Sequence, residues 1–319
     1  MNISLTNGDS IEIASNWINN AELDFSAAFI GGSVAYADPK SPYDAASDVD
    51  CYLVIDGDPP DGKIGKITVD GVLLDVSWLP WSQLENAEQH AVIASLIRFG
   101  HIVTDNTGNL TSLQQRIAST FMDPDAIEKR LDDMRGRIRG IAVDNRDLPA
   151  PELVMNWLFP ATLATHIPLI RAGAPLTVRK RLLAAKRVMD SGEYEHLLRL
   201  YGFADISRSQ AQKWLDETAI LLDATQAEAR NSSRFWATDL LARDIAIDGS
   251  QRLIDEGFHR EALYWIIATS ARCLVVRTDA GVDSSAYLPA FSDMLRTMGI
   301  ETRDERAAKS AEILKWIED

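Results

Sequence analysis

Asp48 and Asp50 are separated by one residue in Ser47-Asp48-Val49-Asp50-Cys51-Tyr52-Leu53-Val54-Ile55, and Asp75 interrupts a second apolar run, Val72 to Leu79. Residues two apart on a strand project to the same face, which sets Asp48 and Asp50 side by side. A strand so close in sequence can pair in the same sheet and bring Asp75 to them. Carboxylates grouped on an otherwise apolar sheet repel one another and lose hydration, a cost that a bound cation offsets. Hard oxygen ligands of this kind suit Mg²⁺, which is held by one or two carboxylates together with substrate phosphates. Ahead of the acids, Phe29-Ile30-Gly31-Gly32-Ser33 reads as a buried strand entering a glycine turn. Such a turn lets the backbone approach phosphate closely at a helix start. The chemistry indicated is metal-assisted phosphoryl transfer, with Asp48, Asp50 and Asp75 as metal ligands and catalytic groups.

The elements that must position these residues alternate in type. The pattern predicts a helix over Ile11 to Asn19, a strand over Phe25 to Ile30 and a strand over Asp48 to Ile55, ended by the breaker-rich stretch Asp56 to Gly62. Lys66 to Val69 and Val72 to Leu79 flank Asp70-Gly71, a dipeptide favoured in two-residue hairpin turns. Asp75 is therefore placed on the return strand of a hairpin. His101 to Thr104 reads as another strand, followed by a helix ending near Phe121. A small mixed sheet with helices on one side accounts for this region. From Pro124 onward strand signals vanish. Helices are predicted over Ala126 to Ile141, Pro151 to Arg171, Thr177 to Met189, Ser209 to Ala229, Phe235 to Glu256 and Arg260 to Val276. Two shorter ones follow, near Ser285 to Met298 and Glu301 to Ile317. The expected fold class is α+β: a sheet domain over residues 1–123 and an all-α helical bundle over 124–319.

Gly32-Ser33, Asp48-x-Asp50 and Asp75, in that order and with apolar flanks on both acidic strands, resemble the nucleotidyltransferase superfamily that includes DNA polymerase beta and the aminoglycoside nucleotidyltransferases. The matched residues lie in the first third of the chain. The interval from Ala37 to Ser47, with Pro39 and Pro42, lengthens the family's usual gap between glycine turn and acid pair. The resemblance implies a catalytic α/β module followed by a helical domain that supplies the acceptor pocket. It implies transfer of a nucleoside monophosphate from a nucleoside triphosphate to a hydroxyl of a small molecule, an aminoglycoside-like compound among the candidates. Asp48 and Asp50 would bridge two Mg²⁺ ions, Asp75 would bind the acceptor-side ion, and Gly32 and Ser33 would cradle the β- and γ-phosphates. The alternative is an antitoxin-like nucleotidyltransferase that modifies or binds a partner protein.

In the helical half, Arg179, Lys180, Lys186 and Arg187 fall on one arc of the predicted Thr177 to Met189 helix, opposite Val178, Leu182, Ala185 and Met189. Thr177 is the expected N-cap. The arc is a candidate clamp for the triphosphate, while a solvated face pairing with surface acids accounts for the same pattern. Arg252 and His259 loosely match an Arg/His pair of ribonuclease toxins that accompany minimal nucleotidyltransferases, but packing explains His259, and also His166, more simply. Trp78 and Trp81 could edge a base pocket or fill the core.

The net charge of −15 over 319 residues argues against stable nucleic-acid binding, which rests on Lys and Arg neutralising phosphates. An acidic protein is better disposed to a cationic acceptor such as an amino sugar, although acidity also serves solubility alone. Cys51 and Cys273 fall in apolar segments and read as buried, reduced thiols. The start lacks the basic flank and apolar core of a signal peptide, and no uninterrupted apolar run approaches membrane-spanning length, so a cytoplasmic, membrane-free protein is expected. There is no Cys/His zinc spacing, phosphate-binding Gly-Lys-Ser/Thr loop or dinucleotide fingerprint.

Overall fold

A computed structural model of the chain describes residues 5–44, 47–60, 64–143, 148 and 150–318. The chain is α+β and falls into two compact units, Met1–Asp133 with Leu169–Thr177, and Met134–Pro168 with Val178–Asp319. The division lies inside the helix Pro124–Arg139 rather than at the expected break near Met122-Asp123-Pro124. Pro124 starts that helix instead of interrupting one, as proline does at a first helical turn.

The first unit holds β1 (Ala27–Gly31), β2 (Val49–Ile55), β3 (Gly65–Val69), β4 (Val72–Pro80) and β5 (His101–Asp105) in one sheet of order β3-β4-β2-β1-β5. β2 and β4 are parallel and the other neighbours antiparallel. β1 is buried along its whole length, so its near-continuous apolar run packs on both faces. One face carries Ala28, Ile30, Cys51, Leu53, Leu74 and Val76 against Ala14 and Ile18 of α1 (Asn7–Asn20). The other carries Ala27, Phe29, Val54 and Leu79 against α3 (Ala91–Phe99) and α4 (Asn109–Thr120). Helices thus cover both faces, not one. The helix α3, which the sequence pattern did not suggest, is short and apolar; Asp133 Oδ2 accepts from its first amide, Ala91, at 2.9 Å. Between β1 and β2 lies α2 (Gly32–Tyr36), a single short helix.

The interval after α2 is pinned down by backbone bonds. Gly8 N donates to Pro39 O at 2.8 Å, Asn7 N to Ser41 O at 2.9 Å and Tyr43 N to Leu5 O at 2.8 Å. The Pro39 and Ser41 carbonyls satisfy first-turn amides of α1 that have no partner inside the helix. Tyr43 Oη donates to Ser47 O at 2.6 Å, beside the acid pair. The Asp70-Gly71 turn has positive φ at both residues, 47° and 83°, the geometry whose twist suits a two-residue hairpin.

In the second unit, the helix His259–Asp279 is buried nearly all round, with Leu263, Ile266, Ile267 and Leu274 at its core. The predicted Pro151 to Arg171 helix is divided into the helices Ala150–Thr162 and His166–Arg171 by a 3₁₀ turn at Leu163–Thr165. Pro168 lacks the amide an unbroken α-helix would use there. The stretch Ala150–Arg171 is long and apolar enough to cross a membrane, contrary to the sequence expectation, but 67% of its most apolar part is buried within the protein. The predicted Ser209 to Ala229 helix is the helix Arg208–Asp223 followed by a separate turn of helix, Gln226–Arg230.

Candidate functional site

Strand register brings the acids together. Asp50 of β2 lies directly opposite Asp75 of β4, and Lys66 of β3 lies opposite Asp75 from the other side. Register partners share a face, and Asp48, two residues ahead of Asp50, joins them. One ammonium closes the group: Lys66 Nζ donates to Asp48 Oδ2 in a short contact and to Asp75 Oδ2 at 3.3 Å. The lysine side chain is 12% exposed, against 27% for Asp48 and 14% for Asp75. This half-buried setting strengthens each charge interaction relative to the open surface.

The glycine turn completes the edge of the site. Gly31 pairs with Asp50 across β1 and β2. Gly32 has φ +68°, and a Cβ built there would stand 2.1 Å from Asp50 Oδ2. Only glycine permits both that backbone conformation and that approach. A Cβ at Gly31 would meet Leu96 Cδ1 at 2.5 Å, which explains the second glycine by packing. Ser33 follows in the first turn of α2, half-buried.

The same negative field is felt by its neighbours. Burial, then the charges of Asp50, Asp75 and Asp48, hold the Tyr52 hydroxyl well above its ordinary value. The Cys51 thiol is pushed up to about 12 by burial first and by Asp50 and Asp75 next. Tyr43 also rises to about 12, chiefly through burial, with Asp48 adding to it. Tyr52 stacks on Phe29 with ring centroids 5.0 Å apart, giving the acids a rigid aromatic floor. Cys273 is likewise buried and raised to about 12 by burial, so neither thiol is activated.

Among the described residues, no group of three or more Asp, Glu, His or Cys side chains closes on a single point in the manner of a formed metal site. The cation standing between Asp48 and Asp75 is instead the Lys66 ammonium. Asp48 and Asp75 gather around this one cation, Asp50 shares their face by register, and carboxylate oxygens are the donor type that a hard divalent ion such as Mg²⁺ takes.

The predicted cationic arc is rearranged. The helix here spans Arg181–Val188 with Lys180 at its N-cap position, so Thr177 does not cap it and Val178, Arg179 and Lys180 precede it. Arg179 donates to Ile245 O at 2.6 Å and lies 4.5 Å over the Trp265 ring. Lys186 pairs with the buried Glu261 at 3.1 Å and lies over the Tyr194 and Phe258 rings. Lys180 and Arg187 are exposed, and Val178, expected to anchor the helix, is 56% exposed. Arg179 and Lys186 thus already serve the helical unit's own packing. His259 bonds through a ring nitrogen to Ile206 O at 3.1 Å, and His166 is buried, which suits packing roles for both. Trp81 packs in the α3/α4 core and donates to Ser26 Oγ at 2.9 Å, while Trp78 packs on the α1 face.

Lys66 is the functional candidate that motif reading passed over. Its signal was present: with a two-residue turn at Asp70-Gly71, Val69 faces Val72, and counting three residues outward sets Lys66 against Asp75. No protein-family model and no curated protein matches the chain.

Proposed function

We propose that the chain is a Mg²⁺-dependent nucleotidyltransferase that moves a nucleoside monophosphate from a nucleoside triphosphate to a hydroxyl of a small molecule. In this reading the sheet unit is the catalytic domain and the helical unit its companion. The observation that carries the reading is the register: Asp50 opposite Asp75, with Asp48 on the same face and Gly32 making room for Asp50. Asp48, Asp50 and Asp75 are the residues to hold two Mg²⁺ ions, which supply charge neutralisation to the triphosphate and to both the attacking and the leaving oxygens. Asp75 is the candidate to take the acceptor's hydroxyl proton on a carboxylate oxygen. The acceptor oxygen bonds to the α-phosphorus, the bond from that phosphorus to the bridging oxygen breaks, and pyrophosphate leaves. Gly32 and Ser33 orient the β- and γ-phosphates through backbone N–H and hydroxyl donors. The Tyr52–Phe29 stack and the α3/α4 core beneath hold the acids in place.

Incubation with α-³²P-labelled triphosphates, Mg²⁺ and a panel of amino sugars and other polyols tests the reading. Label transferred to a small molecule with matching pyrophosphate release is the expected outcome. Label appearing only on a polypeptide would move the chain to the antitoxin-like class, and no transfer across the panel and a proteome extract would remove the enzymatic reading.

A further inference from the structure

Asp48, just ahead of β2, and Asp75 of β4 share the Lys66 ammonium as a counter-ion. Lys66 reaches both from β3, the strand on the outer side of β4, and its own position is fixed by the tight Asp70-Gly71 turn. Both contacts are to Oδ2 of carboxylates that the proposed function assigns to Mg²⁺. A Mg²⁺–oxygen bond is about 2.1 Å long and demands near-octahedral geometry. An ammonium hydrogen-bonded to the same oxygens occupies the space and the lone pairs that such bonds need. The two cations are therefore alternatives at these oxygens.

We infer that Lys66 is a built-in surrogate cation: it holds Asp48 and Asp75 together in the metal-free protein and is displaced when divalent metal binds. The inference rests on the metal-site reading above and adds a positioning residue to it. Two consequences follow from the exchange. The metal-free site is spared carboxylate repulsion, so the acids are already gathered when metal arrives. The apparent metal affinity is reduced by the fraction of molecules in which Lys66 has moved aside. Lysine suits this role better than arginine, because its ammonium is a compact point charge on a flexible stem and forms no bidentate clamp.

The experiment is a titration of wild-type, Lys66→Met and Lys66→Gln proteins with Mn²⁺, followed by the EPR signal of the free ion and repeated with Mg²⁺ by calorimetry. Both variants are expected to bind about tenfold more tightly than wild type, and to gain more thermal stability from added metal. On the unmodified protein, the Lys66 amine is expected to react faster with an acylating reagent once Mg²⁺ is bound, read by peptide mass spectrometry; this arm needs no variant to fold. Metal binding with equal affinity in all three proteins and unchanged Lys66 labelling would overturn the exchange while leaving the metal site standing. An absence of divalent-ion binding in wild type and variants alike would overturn the metal-site reading and this inference with it.

Discussion

At Gly32 the backbone and the chemistry impose the same demand. Its φ of +68° is a conformation that costs an L-residue roughly 1–2 kcal/mol, and a Cβ would lie 2.1 Å from Asp50 Oδ2. Gly32→Ala is therefore expected to lose more stability than the ordinary surface substitution and to displace the Asp50 carboxylate, measured as a lowered Tm together with weakened Mn²⁺ binding. Asp50→Asn separates the two effects. It keeps the shape and removes only a charge, so its far-ultraviolet circular dichroism should match wild type while kcat for nucleotide transfer falls by about 10³-fold or more. A variant that still turns over within tenfold of wild type would show that Asp50 does not hold the reacting groups. The acid triad was legible in the sequence because strand periodicity and the hairpin dipeptide fix which residues share a face. The pairing of Asp50 with Asp75 was not, since the register of two parallel strands is set by a connection whose path no local pattern specifies. Lys66 lay between these cases: the turn gave its partner, but a lone lysine on a strand carries no motif to draw attention to it.

At the scale of elements, the ends of helices show how the sheet unit is assembled. Asp105, the last residue of β5, accepts from Gly108 N at 3.0 Å and from Thr111 N and Oγ1 at 2.8 Å each. It thus serves the amides at the start of α4, whose own N-cap is Gly108 and has no side chain. Burial alone would raise the Asp105 carboxyl, but the Thr111 and Gly108 bonds outweigh it and hold the group below its ordinary value. A carboxylate depressed in the folded state stabilises the protein above its unfolded pKa of about 3.9, and that contribution is lost as pH falls through the folded value. Asp105→Ala is expected to cost about 1 kcal/mol at pH 7, as loss of a cap does, and the gap to wild type should close below about pH 4 in parallel urea titrations. A gap that persists undiminished at pH 2.5 would mean that the carboxylate charge is not what caps α4. Sequence reading of the helices fell short at long-range contacts and at one pair of end signals. The predicted Phe235 to Glu256 helix is in fact a 3₁₀ turn at Ala237–Leu241, a π-helical turn at Asp244–Asp248 and the α-helix Gly249–Asp255. Arg179 bonds to Ile245 O within that π turn, and such a long-range contact leaves no trace in helical periodicity. The helix Ser191–Tyr201, with Asp190 accepting from Gly192 N and Glu193 N as its N-cap and Gly202 closing it, was passed over although both end signals stand in the sequence.

For the molecule as a whole, the proposed nucleotidyltransferase reading meets a constraint from net charge. The chain carries −15, and the proposed site itself contributes three carboxylates against the ammonium of Lys66. A metal-free triphosphate approaching that face meets repulsion from the site and from the surrounding field, whereas the metal-bound triphosphate brings its own positive charge. Nucleotide binding is therefore expected to depend on divalent metal: calorimetry with ATP in excess EDTA should show no measurable heat, and Mg²⁺ should restore binding. Salt provides the sharper check. A protein that binds phosphate through a basic surface loses affinity as salt rises, because counterion release drives it. Here the long-range term is repulsive, and at 0.1 M salt it is screened beyond about 10 Å. Raising monovalent salt from about 20 mM to that level should leave the EDTA titration without measurable heat, with Mg²⁺-dependent binding reduced only modestly. If metal-free ATP instead binds well and falls off steeply with salt, phosphate is being held by a basic surface, and exposed Lys180 and Arg187 become the residues to test by charge reversal.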